Sequence, residues 1–218
     1  LADLEPNHIS LYSLTLEEGT PLHQWVQQGK LPVPDIDLTA DMYHYAEDCL
    51  ETRGYSHYEI SNWSKPGCAS EHNLAYWRNH PYVGVGPGAH SRIGQYRFWT
   101  VNSPREYIEC SQAWDLSRPA RFSGFTDYDL GTIPTILDHE YINLDLLASE
   151  TMFLGLRLLD GINLQELSTI AGTDLRMLYK SQISDCLDLG LLEEKASLLK
   201  LTKETYLIAN QVFTRFID

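Results

Sequence analysis

The fold is decided first by the stretch His8-Ile-Ser-Leu-Tyr-Ser-Leu-Thr-Leu16. Residues 9–16 are rich in β-branched, apolar and aromatic side chains that alternate roughly with period two, which predicts a buried strand. The sequence Glu18-Gly-Thr-Pro21 is typical of a turn and ends this strand.

A helix over residues 40–53 is predicted next, with Thr39 as its cap and Gly54 as its stop. Apolar side chains recur there at helical spacing: Met42, Tyr43, Ala46, Cys49 and Leu50. A second strand is predicted over residues 58–63, and residues 82–91 begin as a strand and become a Gly-rich loop. The order strand, helix, strand, loop is typical of an α/β layer, so we expect part of a larger parallel or mixed sheet.

The second half of the chain has a different pattern. A short helix is expected over residues 103–114, and Pro119 and Pro134 break the sequence that follows. The elements predicted after residue 147 are helices up to residue 161, over 164–171 and over 175–189, strands over 191–194 and 198–201, and a last helix over 202–216. We therefore expect α/β structure over residues 1–100, a connector over 101–147 and a mostly helical, winged-helix-like domain over 148–218.

Charge and composition exclude several function classes. The net charge of −14 and the pI near 4.9 disfavour binding to nucleic acid or anionic lipid, because both would be repelled. A winged helix that binds DNA needs clustered basic residues, whereas Asp174, Asp185 and Asp188 line this would-be recognition helix. No apolar run reaches the roughly 18 residues that a membrane span needs. Four irregularly spaced cysteines suit reduced thiols, so we expect a cytoplasmic protein whose partners are small molecules or proteins.

Three motifs carry a resemblance to a known family: His8-Ile-Ser-Leu-Tyr-Ser-Leu-Thr-Leu-Glu-Glu-Gly-Thr-Pro21, Gly54-Tyr-Ser-His-Tyr-Glu-Ile-Ser-Asn62 and Gly84-Val-Gly-Pro-Gly-Ala-His-Ser91. Together with Glu150-Thr-Met-Phe-Leu-Gly-Leu-Arg157, they resemble the radical S-adenosylmethionine (SAM) proteins of the oxygen-independent coproporphyrinogen III oxidase family. The resemblance implies the later part of a TIM-like partial barrel, followed by that family's extra C-terminal domain.

The segment His72-Asn-Leu-Ala-Tyr-Trp77 discriminates within this family. It resembles the HNxxYW signature that separates the heme-chaperone branch from the coproporphyrinogen dehydrogenases. The leading interpretation is therefore a heme-binding chaperone that delivers heme to recipient proteins. The alternatives are an oxidase that converts coproporphyrinogen III to protoporphyrinogen IX, and a non-catalytic interaction module.

The resemblance also implies SAM and a [4Fe–4S] cluster, which the family holds on three cysteines spaced CxxxCxxC. This spacing does not occur in the sequence, which starts at Leu1 without an initiator Met. We expect the cluster-binding segment to precede residue 1 in a longer parent protein, and the chain by itself to make no radical. Whether the chain is an enzyme is therefore left open.

Five residues match SAM-contacting positions of the family. Tyr12 and Thr15 match contacts to the adenine, and Gly86, Ala89 and His90 lie where relatives contact SAM in a Gly-rich loop. The structural alternatives are that Tyr12 fills the core of a strand and that the glycines form a tight strand exit.

Three residues are candidates for heme contact. His72 could ligate the iron through a neutral imidazole nitrogen, with Tyr76 and Trp77 packing against the porphyrin. The alternative is a structural His72 that is hydrogen-bonded to backbone. A zinc site on Cys68 and His72 would need a second pair of ligands, which the sequence does not show.

Overall fold

A computed structural model describes residues 2–114 and 130–217 of the chain. The strands are β1 (His8–Ser10), β2 (Ser56–Glu59), β3 (Asn62–Ser64), β4 (His90–Ile93), β5 (Tyr96–Thr100), β6 (Ile136–Tyr141), β7 (Leu192–Lys195) and β8 (Leu198–Leu201). The helices are α1 (Pro21–Gln27), α2 (Ile36–Glu51), α3 (Glu71–Trp77), α4 (Pro104–Gln112), α5 (Leu144–Gly155), α6 (Leu164–Ala171), α7 (Leu175–Leu178), α8 (Lys180–Asp188) and α9 (Ala209–Phe213). The predicted break at Pro119 lies outside the described residues.

The strands form three sheets with the orders β1-β3-β2, β4-β5-β6 and β7-β8. Every strand pair among the described residues is antiparallel, so the parallel pairing that the sequence pattern allowed is not seen there. The reason lies in the predicted second strand, which is in fact a hairpin. It inserts β3 between β1 and β2.

The prediction of one strand over residues 58–63 is therefore wrong. The chain turns at Ile60 and Ser61, and a bulge between His57 and Glu59 shifts the register of the hairpin. One carboxylate oxygen of Glu59 accepts the backbone N–H of Ser61 at 3.0 Å, which stabilises the turn. The pattern of apolar and polar residues along the sequence does not predict a side-chain contact of this kind.

The predicted buried strand over residues 9–16 is also too long. Its partner β3 has only three residues, so the ladder runs from His8 to Ser10 and is followed by a single bond from the Leu11 N–H to the Ser61 carbonyl. Residues 12–15 are exposed, and Tyr12 has 74% of its surface accessible. A strand pattern without a pairing partner remains irregular among the described residues.

The predicted helix after it starts earlier than expected. The side chain of Asp35 accepts the Leu38 N–H at 3.0 Å and is the true cap, whereas the Thr39 hydroxyl donates back to the Asp35 carbonyl. Gly54 follows the last turn with a φ of +75°, a left-handed value that favours glycine, so the predicted stop is confirmed.

The chain on either side of the Gly-rich loop pairs at the second sheet. Tyr82 forms an isolated bridge with Arg92, and β4 begins only at His90, so the loop precedes the strand instead of following it. β6, from the predicted connector, pairs with β5. The helix predicted over residues 103–114 forms as α4, whose cap is Ser103. The domain boundaries themselves stay a prediction.

The second half folds into helices followed by the β7-β8 hairpin, as predicted, but the helix expected from residue 147 to 161 is α5, which ends at Gly155. The helix predicted over residues 175–189 is divided into α7 and α8 at Tyr179, and the last helix begins as a 3₁₀ turn over Lys203–Ile208. The core of this half contains the fully buried side chains Met152, Leu156, Leu175, Leu199, Val212 and Phe216. The four cysteines are unpaired. None of the described helices combines the length and apolarity needed to cross a bilayer.

Candidate functional site

The HNxxYW motif forms the helix α3. Ser70 begins it, since its hydroxyl accepts the Asn73 N–H at 3.2 Å. The helix ends in a left-handed residue, Asn79, with a φ of 53°. The N–H of Asn79 bonds to the Tyr76 carbonyl and the N–H of His80 to the Ala75 carbonyl, both at 2.9 Å, which is the Schellman pattern of helix termination.

Asn79 also anchors this end of α3 to the rest of the protein. The residue is 5% exposed, and its side-chain amide donates to the Thr151 hydroxyl of α5 at 2.9 Å. Its carbonyl accepts a hydrogen bond from the Arg92 guanidinium of β4. The C-terminal end of α3 is therefore held against both the second sheet and the C-terminal helices.

The outer face of α3 presents His72 and Tyr76. These residues are four apart, about 40° around the helix, so they lie on one face. Their rings meet edge to face with centroids 4.8 Å apart, and Tyr76 in turn contacts Tyr82 at 4.5 Å. His72 is exposed and Tyr76 is half-buried. An accessible imidazole beside two aromatic rings is therefore present at this surface.

Trp77 lies on a different face. It is five residues after His72, about 140° away around the helix, so both side chains cannot face one ligand directly. The guanidinium carbon of Arg157 lies 4.3 Å from the centroid of the Trp77 ring and 5.7 Å from that of Phe213. The structure brings His72 and Tyr76 together and separates Trp77 from them.

Arg157 belongs to a polar cluster in the interior that sequence reasoning missed. Its guanidinium Nη2 lies 3.6 Å from Oε2 of Glu59, which is fully buried. Oε1 of Glu59 accepts the Ser61 N–H and the side-chain amide of Asn62. Burial lowers the pKa of Arg157, and the charge of Glu59 opposes that shift. The only sequence signal was its place in the motif Gly-Leu-Arg157.

The five residues matched to SAM positions fall into two groups. Tyr12 and Thr15 are exposed and follow β1 of the first sheet. Among the described residues, Tyr12 therefore does not fill the core of a strand, which was the structural alternative. Gly86, Ala89 and His90 lead into β4 of the second sheet.

The loop group is held by its own hydrogen bonds. The Thr100 hydroxyl donates to the Gly86 carbonyl at 2.6 Å and also accepts the Ala89 N–H at 3.1 Å. The His90 ring stacks on Trp99 with centroids 5.5 Å apart. Gly86 has a φ of +112°, which favours glycine there. The loop is thus an ordered turn that leads into β4 and ends in an exposed histidine.

In the described part of the chain, metal-ligating side chains are not grouped around these residues. Within residues 2–114 and 130–217, no three side chains among His, Cys, Asp and Glu are grouped closely enough to hold an ion. Cys68 and His72 therefore gain no further zinc ligand from the described structure.

A half-buried histidine, His57, lies between the first sheet and the C-terminal half. Its ring stacks on Trp63 at 4.0 Å and meets Tyr43 and Tyr206 edge-on. Nδ1 lies 3.7 Å from Oε1 of Glu47, which also pairs with Lys203. Burial lowers the pKa of His57 from 6.5, and the Ile60 carbonyl and Glu47 oppose that shift.

We expect this histidine to make the protein less stable in acid. Because the folded state holds His57 with a lowered pKa, it binds fewer protons than the unfolded state, so stability present above about pH 6.5 is lost as the pH falls. The free energy of unfolding, measured from about pH 8 to pH 5, should fall less steeply in His57→Phe, which keeps the stacked ring. Equal slopes for parent and variant would assign the acid sensitivity to other groups.

Known proteins resemble the chain in both sequence and structure. The HemN C-terminal domain family matches residues 142–208. The chain is 34% identical to the heme chaperone HemW of Bacillus subtilis over 98% of its own length and 52% of that protein. It is 33% identical to HemW of Mycobacterium tuberculosis H37Rv over 94% of its own length and 46% of that protein. The chain thus spans about half the length of these curated relatives.

Two further relatives extend the comparison. A mitochondrial radical S-adenosyl methionine domain-containing protein 1 of Danio rerio is 55% identical over 40% of this chain and 20% of that protein. Coproporphyrinogen III oxidase (HemN) of Escherichia coli, a radical SAM enzyme, shares the fold with a TM-score of 0.66 at 14% identity, over 99% of this chain and 49% of that structure.

Proposed function

The chain belongs to the HemN/HemW-like family of radical SAM proteins, and on that premise we propose that it binds heme at the outer face of α3 for delivery to recipient proteins. The single observation that carries the proposal is the accessible imidazole of His72 with the ring of Tyr76 at 4.8 Å. The similarity to relatives named heme chaperones supports the same assignment. A cytoplasmic location is part of the proposal.

The roles of the three motif residues follow from the geometry of α3. A neutral His72 imidazole can donate a nitrogen lone pair to heme iron. Tyr76, backed by Tyr82, offers an aromatic surface of the kind that packs against a flat, apolar ring. Trp77, whose ring lies against Arg157, contributes by holding the helix. We assign it an indirect role in heme binding.

SAM and a [4Fe–4S] cluster belong to the proposal for the whole protein. The described residues do not fit the cluster, because the chain lacks the CxxxCxxC spacing and its cysteines are not grouped as ligands. Three of the residues proposed to contact SAM have exposed side chains. Tyr12 and Thr15 are exposed, as is His90, which follows Gly86 and Ala89. No reaction step is assigned to these residues.

A second candidate function is the oxidation of coproporphyrinogen III. It is favoured by the fold shared with HemN and by the match to the HemN C-terminal domain. The third candidate, an interaction module without catalysis, would require that the protein bind neither SAM nor a tetrapyrrole.

The decisive experiment uses the full natural protein, reconstituted anaerobically with iron and sulfide and supplied with SAM and coproporphyrinogen III. We expect the Soret band of added heme to shift on binding, and SAM to be cleaved to 5′-deoxyadenosine without formation of protoporphyrinogen IX. Formation of that product with two SAM molecules cleaved for each protoporphyrinogen IX, one for each propionate oxidised, would assign the protein to the oxidases. If the protein neither binds heme, nor cleaves SAM, nor forms the product, the result would favour the third candidate, the interaction module.

A further inference from the structure

We propose that Arg157 is a positioning residue for the heme site, which sets the rotation of α3 so that His72 and Tyr76 face outward. The inference rests on the proposed function, because it concerns the same helix face. It adds a residue outside the HNxxYW motif and places it in the C-terminal half of the chain.

The first step is the contact between Arg157 and α3. Its guanidinium carbon lies 4.3 Å from the centroid of Trp77 and 5.7 Å from that of Phe213. A flat guanidinium can be attracted by the faces of both rings. Phe213 is 5% exposed and part of the C-terminal core, so this contact links α3 to a well-packed region.

The second step is what holds Arg157 in place. Glu59 is fully buried, and its Oε1 accepts hydrogen bonds from the Ser61 N–H of the β2-β3 turn and from the side-chain amide of Asn62, the first residue of β3. Its Oε2 has no hydrogen bond in the described structure, and the cation that pairs with it is Arg157 at 3.6 Å. A buried carboxylate strongly favours an adjacent cation, so Glu59 restrains the guanidinium.

The third step connects this restraint to His72. The helix is seven residues long, and Asn79 anchors its C-terminal end through Thr151 and Arg92. That anchor limits movement along the axis, whereas a side-chain contact on another face of the helix limits rotation. Trp77 and His72 lie on different faces of the same helix, about 140° apart. If the contact between Trp77 and Arg157 is lost, the helix can rotate about its axis, and the direction in which His72 points is no longer fixed.

The experiment compares Arg157→Lys with Arg176→Lys in the full natural protein. The first variant keeps a positive charge near Glu59 but loses the flat guanidinium, whereas Arg176 pairs with Glu194 at the surface and makes no contact with α3 that the structure records. We expect Arg157→Lys to weaken heme affinity about threefold to fivefold and to shift the Soret band. Arg176→Lys should match the parent.

Two further measurements separate positioning from a general loss of structure. Amide hydrogen exchange in α3 should become faster in Arg157→Lys without heme present, while exchange in α8 stays unchanged. In the His72→Ala background, Arg157→Lys should cause no further loss of heme affinity, because a positioning residue acts through His72. Equal losses in both backgrounds would overturn the inference.

The outcomes also distinguish this inference from the proposed function. If His72→Ala weakens heme binding and Arg157→Lys changes neither affinity nor exchange in α3, the positioning role is wrong and the heme site stands. If exchange in α3 rises but neither variant changes heme binding, the heme site is wrong, and with it the inference that Arg157 serves it.

Discussion

Replacement of His72 by alanine is expected to weaken heme binding at least about tenfold, or roughly 1.4 kcal/mol, and to shift the Soret band. The physical reason is the loss of the proposed bond between the imidazole nitrogen and the iron. Heme titration followed by absorbance measures both quantities. Thermal unfolding of the same preparation shows whether the variant is folded.

A structural His72 would behave differently. Its replacement would lower the unfolding temperature and leave the affinity and spectrum per folded molecule unchanged. The matched control is His44→Ala, because His44 is an exposed histidine on α2 and no recorded contact joins it to α3. If His90→Ala loses heme while His72→Ala binds it like the parent, the ligand has been assigned to the wrong histidine.

Replacement of Phe216 by alanine is expected to lower the free energy of unfolding by about 3–5 kcal/mol. The side chain is fully buried, its ring meets Tyr179 edge to face at 5.4 Å, and its carbonyl accepts the Ser149 hydroxyl at 2.7 Å. Truncation removes apolar contacts and leaves a cavity in the C-terminal core. Urea unfolding followed by circular dichroism measures the loss.

The neighbouring residue provides the control. Ile217 is 51% exposed, so Ile217→Ala should change the free energy of unfolding by no more than about 0.5 kcal/mol.

The two substitutions, Phe216→Ala and Ile217→Ala, also test where the C-terminal domain ends. The matched family stops at residue 208, whereas the sequence predicts a domain up to residue 218. Equal, small effects of both substitutions would show that residues after 208 add little to its stability.

Local patterns in the sequence were enough to predict most of the helices. The cap Ser103, the stop at Gly54 and the helix over residues 164–171 follow from rules that act within a few residues. The HNxxYW motif likewise places His72 and Tyr76 on one face as soon as it is helical, because their spacing matches one turn. The family resemblance also came from short motifs and their order.

Strand pairing and the buried cluster were decided by tertiary structure. Residues 11–16 have a strand pattern, yet β3 is too short to pair with them. The turn between Glu59 and Asn62 likewise divided one predicted strand into two. The separation of Trp77 from His72 required knowing that Arg157, from the C-terminal half, lies over the indole. Strand pairs and buried ion pairs join residues far apart in the chain, so no local pattern specifies them, whereas a helix closes its hydrogen bonds within four residues.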